Sequence, residues 1–228
     1  SIIRKLIEKG MDVARIDVSN NKEKIVSHTI RNVKLASDSV PIFLDIPGNN
    51  IPLIKSWIRF AIKNDVDFIG LSNVKNAEDV IKINRFLGYN DIRQVIGGKI
   101  KVIIKINEES LRNYKEIIEE SYGIIIDRNI LTLGNKYEKL PRLQKIMVDE
   151  CNKQGKPVII GGQLLESMMR DKIPTKAEVY DVANAVLDKA SCLMLSSGIE
   201  PGRYPIEALD TLSKIIKNVE ASYKPTQE

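Results

Sequence analysis

Lys101-Val102-Ile103-Ile104-Lys105-Ile106 is a short β-branched run, and after a helical pattern over residues 111–120 comes another, Gly123-Ile124-Ile125-Ile126. Neither run alternates apolar with polar residues. A strand covered on both faces reads this way, and such strands belong to parallel sheets covered by their crossover helices. Working outward, similar runs recur at residues 13–18, 41–46, 68–71, 157–160 and 192–195. Helical patterns lie between them, at residues 23–37, 54–64, 77–87, 140–154, 175–188 and 205–219. An opening helix has Ile2, Ile3, Leu6 and Ile7 at helical spacing, with Gly10 as its stop. Thr175 and Glu178 have the spacing of a capping box. Strand and helix alternate in constant order, which predicts a parallel α/β fold, and this many units favour a (β/α)8 barrel over an open sheet. The chain opens in a helix and shows one strand fewer than closure takes. That strand is expected upstream of Ser1, or another element closes the barrel. Residues 1–222 read as one barrel domain and 223–228 as a polar tail.

Composition narrows the function classes. The 228 residues are 43% apolar and 29% charged, which is ordinary for a globular domain. No apolar run approaches the roughly 18 to 20 residues of a membrane span, and the start does not read as a secretory signal. Cys151 and Cys192 are the only cysteines, and His28 is the only histidine. A disulfide framework or a cysteine–histidine zinc site is excluded, and a reducing cytoplasm is the expected setting. Net charge is +5, but Lys and Glu interleave along the helices. That suits an anionic small ligand and argues against nucleic acid.

Gly10-Met11-Asp12-Val13-Ala14-Arg15-Ile16-Asp17-Val18-Ser19 resembles a segment of the pyruvate kinase family. So do Asp67-Phe68-Ile69-Gly70-Leu71-Ser72 and Cys151-Asn152-Lys153-Gln154-Gly155-Lys156-Pro157-Val158-Ile159. Gln163-Leu164-Leu165-Glu166-Ser167-Met168, Pro174-Thr175-Lys176-Ala177-Glu178 and the run from Asp181 to Asp188 continue the resemblance. It covers most of the chain and implies the family's barrel domain, with a first strand just before the opening helix. The family's lid domain is not evident, because Leu44-Asp45-Ile46-Pro47-Gly48-Asn49 leads within a few residues into the next helix. A C-terminal regulatory domain is not evident either.

The resemblance implies transfer of a phosphoryl group from phosphoenolpyruvate to ADP, with Mg²⁺ and K⁺ as cofactors. Lys105, at the C-terminal end of its strand, takes the place of the family's phosphoryl or enolate lysine, and Arg15 that of a phosphate-binding arginine. Both are expected to be vestigial or anion-binding. Arg128, Asn129, Ile130 and Gly162 stand where the family contacts substrate. The divalent-metal positions depart from the family. Asn107 replaces one carboxylate and Ile130 the other, and isoleucine offers Mg²⁺ no oxygen. Glu108 and Asp127 are weak divalent candidates. Gly162 stands in for the threonine that relays the proton, and Ser197-Gly198-Ile199-Glu200 loses a glutamate and a threonine of the family pattern. Asp17, Ser19 and Asp45 are candidates for the monovalent cation, and the two aspartates can alternatively pair with Lys105 or Arg15.

This pattern of loss points to a degenerate paralogue, a non-catalytic or regulatory subunit that forms a homo- or hetero-oligomer with a pyruvate kinase, its contacts falling on residues 163–168 and 174–188. A divergent working enzyme that uses Mg²⁺ and K⁺ is the alternative. A sensor of phosphoenolpyruvate or phosphate, held by Arg15, Lys105 and Arg128, is a third reading. No cofactor is expected of a pseudoenzyme. His28 is expected on the surface, and Trp57, Cys151 and Cys192 in packing.

Overall fold

Successive side chains of a strand point to opposite faces, so a run that is apolar at every position needs cover on both sides. The structure, a computed structural model, describes residues 1–19, 21–48, 50–131, 137–195 and 203–222, and supplies that cover. Seven parallel strands lie in sequence order: β1 Ala14–Asp17, β2 Ile42–Ile46, β3 Phe68–Leu71, β4 Lys101–Ile106, β5 Gly123–Asp127, β6 Val158–Gly161 and β7 Cys192–Met194. Each pairs with the next, from Ala14 opposite Ile42 to Gly161 opposite Met194. The helices are α1 Ile2–Glu8, α2 Glu23–Ala36, α3 Ile51–Lys63, α4 Ala77–Phe86, α5 Ile92–Gly97, α6 Tyr114–Glu120, α7 Arg128–Leu131, α8 Leu140–Lys153, α9 Lys176–Leu187 and α10 Pro205–Ser222.

One set of alternate strand residues packs under the helices. Leu44, Ile46, Ile69, Ile104, Ile106, Ile124, Ile126 and Ile160 are fully buried there, against residues such as Val26, Ile58, Val80, Ile117 and Val148. Full burial of each such side chain contributes about 1.5–3 kcal/mol. The other set faces inward. Phe43, Ile103 and Ile125 form a separate inner cluster with Val13, Phe68, Tyr122, Ile159 and Met194. A sheet with its own inner core is a curled one. Consistent with this, the outer elements of the two chain ends meet: Lys9 pairs with Asp210 of α10 at 3.1 Å, and a Cβ on Gly10 would lie 2.6 Å from Ser213 Oγ.

The architecture is a curled parallel α/β half-barrel. The expected parallel barrel architecture is present with seven strands, one fewer than closure takes, as the strand runs of the sequence imply; no strand joins β7 to β1 among the described residues. The polar tail at residues 223–228 lies outside the described residues.

Element ends differ from the sequence reading for local reasons. α3 starts at Ile51, three residues earlier than its apolar pattern, because the Asn50 side chain accepts the Leu53 amide and Pro52 sits in the first turn. The helix expected at 111–120 is a 3₁₀ turn, Ser110–Arg112, followed by α6. α5 was not read from the sequence; Asp91 caps it by accepting the Gln94 amide. The Thr175–Glu178 capping box forms as expected. No described helix is long and apolar enough to cross a membrane.

Candidate functional site

Two residues beyond the inner apolar layer, the same strand faces carry Arg15, Asp45, Gly70, Lys105, Asp127 and Gly161. The period of two therefore sets a polar layer on an apolar one, at the C-terminal ends of the strands. Active sites of parallel barrels occupy that end.

Lys105 Nζ donates to Asp45 Oδ2 at 2.8 Å, and Arg15 Nε donates to the same oxygen at 2.9 Å. Arg15 Nη2 reaches that oxygen too and lies 3.4 Å from Asp17 Oδ2. Lys105 Nζ lies 3.8 Å from Asp127 Oδ2. Asp45 is 2% exposed and Lys105 7%. A buried carboxylate requires compensation, and two cations on one oxygen provide it. Gly70 makes room for this layer: a Cβ there would lie 2.5 Å from the Phe43 ring and 3.6 Å from Asp45 Oδ1.

Asp17 closes the near side. Its Oδ1 accepts the Ser19 amide at 2.8 Å and also the Ser19 hydroxyl. Partial burial pushes the Asp17 carboxyl up, but the Ser19 hydroxyl and amide, with Arg15 and Lys105, outweigh it and hold the group below its ordinary range. Of the three monovalent-cation candidates, Asp17 and Ser19 therefore bond each other, and Asp45 pairs with Arg15 and Lys105.

On the far side, Asp127 Oδ1 accepts the Asn129 amide at 3.1 Å. Gly162 follows β6 at φ +82°. A Cβ on it would lie 3.0 Å from Arg128 N, Asn129 N and Asp127 Oδ1. The bare α-carbon lets this turn approach the Asp127 carboxylate. Gln163 and Leu165 also hold positive φ, 57° and 53°, so the turn at the rim is strained beyond its glycine.

Other expected site residues lie elsewhere. Arg128 is 8% exposed and turns outward: Nε donates to Gln144 at 3.0 Å and Nη1 to Asp181 Oδ2 at 2.5 Å. Those partners lie on α8 and α9, whereas Arg15 and Lys105 share Asp45 of β2. Asn129 is exposed and Ile130 half-buried on α7. Segment 197–200 lies outside the described residues.

The divalent-metal candidates are not assembled. Asn107 sits where β4 turns, and its side-chain oxygen accepts the Ser110 amide at 3.0 Å and the Ser110 hydroxyl at 3.1 Å. Glu108 is exposed on that turn, and Glu109 pairs with Lys75 at 3.0 Å. Asp127 stands apart, beside Lys105. No group of three or more His, Cys, Asp or Glu among the described residues could hold a metal ion. The donor set present does not fit Mg²⁺, which takes hard oxygens in near-octahedral array.

The sequence reading missed the Asp127–Gly162 contact. Its signal was the position of Asp127, two residues after the inward-facing Ile125 on β5.

Comparison with known proteins agrees with the fold. The family model described as the pyruvate kinase barrel domain matches residues 53–209. A pyruvate kinase of Dictyostelium discoideum is 38% identical over 221 residues, covering 93% of this chain and 39% of that protein. One from Geobacillus stearothermophilus is 38% identical over 94% of this chain and 37% of its own length. One from Clostridium acetobutylicum is 38% identical over 92% and 44%. The chain thus spans about two fifths of the relatives it matches. Barrel strands, rim cluster and similarity along nearly the whole chain agree: the chain belongs to the pyruvate kinase family.

Proposed function

We propose that this chain is the barrel part of a degenerate pyruvate-kinase-like protein that keeps the anion end of the family's site and lacks its divalent-metal end. The observation that carries this reading is Asn107, whose side-chain oxygen is bonded to Ser110 at a position where the family pattern needs a metal carboxylate. Ile130 adds no oxygen at the second position. Phosphoryl transfer needs its charge neutralised by a positioned metal, so loss of both ligands abolishes it. Lys105 and Arg15 remain to receive an anion such as phosphoenolpyruvate, pyruvate or phosphate.

Such a protein acts as a non-catalytic or regulatory subunit, associating with itself or with an active pyruvate kinase. Support comes from α9 and the segment before it, where Ile173, Tyr180 and Leu187 are 78%, 71% and 47% exposed. The second reading is a divergent working enzyme, favoured by the similarity to relatives that are themselves pyruvate kinases; it requires Mg²⁺ and K⁺.

The test is pyruvate formation from phosphoenolpyruvate and ADP by the complete gene product, with magnesium and potassium, beside an identically prepared Lys105→Ala variant. Silence in both supports the degenerate reading. Turnover that Lys105→Ala abolishes establishes the working enzyme.

A further inference from the structure

Helix cations of this chain commonly sit beside a carboxylate. Lys82 pairs with Glu78 at 3.0 Å and Lys214 with Asp210 at 2.6 Å, each four residues apart. α3 departs from that pattern. It carries Lys55, Arg59 and Lys63 at four-residue spacing and has no Asp or Glu. Like charges so placed repel one another along a helix. Lys55 and Arg59 lean on the Phe86 ring, 5.2 and 5.5 Å from its centre.

Between α3 and α2 runs a groove of about 480 Å³, lined by Lys24 and Ser27 from α2 and by Ser56, Arg59 and Lys63 from α3. Lys24, Arg59 and Lys63 are exposed, and none of them pairs with a carboxylate among the described residues. The Ser56 hydroxyl has no hydrogen-bond partner among them either. One wall is fixed: Ser27 Oγ donates to Asn64 Oδ1 at 3.2 Å, Asn64 Nδ2 to the Phe60 carbonyl at 2.8 Å, and Lys34 Nζ to the Asn64 carbonyl at 2.9 Å. Glu23 is the one carboxylate in the lining, so three cations leave the groove two positive charges in excess. The volume is that of a small-molecule site. A phosphate monoester carries about 1.5 to 2 negative charges at pH 7 and three strong acceptor oxygens, which matches this excess and these donors.

We propose that the α2–α3 groove binds the phosphate group of a small organic phosphate monoester, with Lys24, Arg59 and Lys63 as its cations and the Ser56 hydroxyl as a neutral donor. The site lies on the outside of the helical layer. Val26, Ile58 and Ala61 of the same two helices are buried in the outer core and separate it from Arg15 and Lys105. It is therefore independent of any anion at the barrel mouth.

The experiment titrates the complete gene product with phenyl phosphate by calorimetry at pH 7.5, and maps lysine acetylation by mass spectrometry with and without that ligand. Phenyl phosphate should bind and protect Lys24 and Lys63 from acetylation. Lys24→Gln combined with Lys63→Gln should weaken binding about 100-fold, at about tenfold for each charge-assisted contact. Thermal melting should be retained, because both side chains are exposed. Glu23→Gln should tighten binding, since it removes the opposing charge. Phenyl sulfate, of similar shape with a single negative charge, should bind more weakly. Lys105→Ala should leave the protection of Lys24 and Lys63 unchanged. Acetylation of Lys24 and Lys63 that millimolar phenyl phosphate does not alter, or undiminished binding by the doubly substituted protein, overturns the proposal. Binding that Lys105→Ala abolishes and the doubly substituted protein retains also overturns it, and assigns the anion to the barrel mouth instead. Equal affinity for phenyl sulfate overturns the assignment to a doubly charged phosphate.

Discussion

Lys105 Nζ and Asp45 Oδ2 lie 2.8 Å apart in the interior of the sheet, bridging β4 and β2 across β3. With Arg15 on the same oxygen, the pair is a buried ion triad. Removing one member of such a set leaves uncompensated charge, at a cost of about 3–5 kcal/mol. Asp45→Ala should therefore lower the urea midpoint strongly, since it leaves Lys105 and Arg15 facing each other. Pairing it with Lys105→Met should recover part of the loss. An Asp45→Ala protein as stable as wild type in urea would show that the triad is not formed in solution.

Gly162 invites a repair that should fail. The family pattern puts a threonine there, but Gly162→Thr needs a β-branched residue at φ +82° with its Cβ 3.0 Å from three atoms. It should destabilise by at least about 1 kcal/mol. Adding Asp127→Ala should relieve part of the crowding but not the backbone strain. Thermal melts of the two single variants and the double variant give the coupling, and strict additivity would rule out the contact.

Glu178 ties the turn after β6 to the start of α9. Its carboxylate accepts the Ser167 amide at 2.8 Å, the Ser167 hydroxyl at 2.5 Å and the Thr175 amide at 2.9 Å. Partial burial pushes the group up, but the Ser167 and Thr175 donors outweigh it and lower it. A carboxyl lowered by folding stabilises above its unfolded pKa of about 4.3, and the contribution fades as pH falls through the folded value. Glu178→Gln should thus be less stable than wild type at pH 7, with the gap narrowing below about pH 4. A gap independent of pH would mean that the charge contributes nothing.

Cys151 is fully buried, and burial, with Glu150 nearby, pushes its thiol up to about 12. Only thiolate reacts with alkylating agents. Native protein at pH 7.5 should leave the peptide bearing Cys151 unlabelled by iodoacetamide, whereas protein in urea should be labelled fully. Rapid native labelling would place Cys151 outside the core.

Most of the fold was legible because buried parallel strands leave a direct trace. The run at 101–106 is apolar on both faces apart from Lys101 and Lys105, and β4 has those bounds. Short capped elements were not legible, since α5 depends on the Asp91 side chain and not on an apolar period. At the site, Lys105, Arg15, Asp17 and Asp45 come together as the strand ends suggested. Arg128 could not be placed from sequence: it directly follows Asp127, and the change of face between neighbours sends its guanidinium to Gln144 and Asp181. The spacing on β5 put Asp127 on the inner face, but the approach of Gly162 to it, through a left-handed turn after β6, left no trace in the sequence.

Divalent-ion binding tests the missing metal end most directly. Calorimetric titration of the complete gene product with Mn²⁺ should show no site tighter than about millimolar that depends on Asp127 or Glu108, because Asn107, Glu109 and Asp45 are held by Ser110, Lys75, Arg15 and Lys105 and cannot complete a donor set with either carboxylate. Sub-millimolar binding that disappears in Asp127→Ala or Glu108→Ala would show that the rim rebuilds a metal site, and would restore the working enzyme.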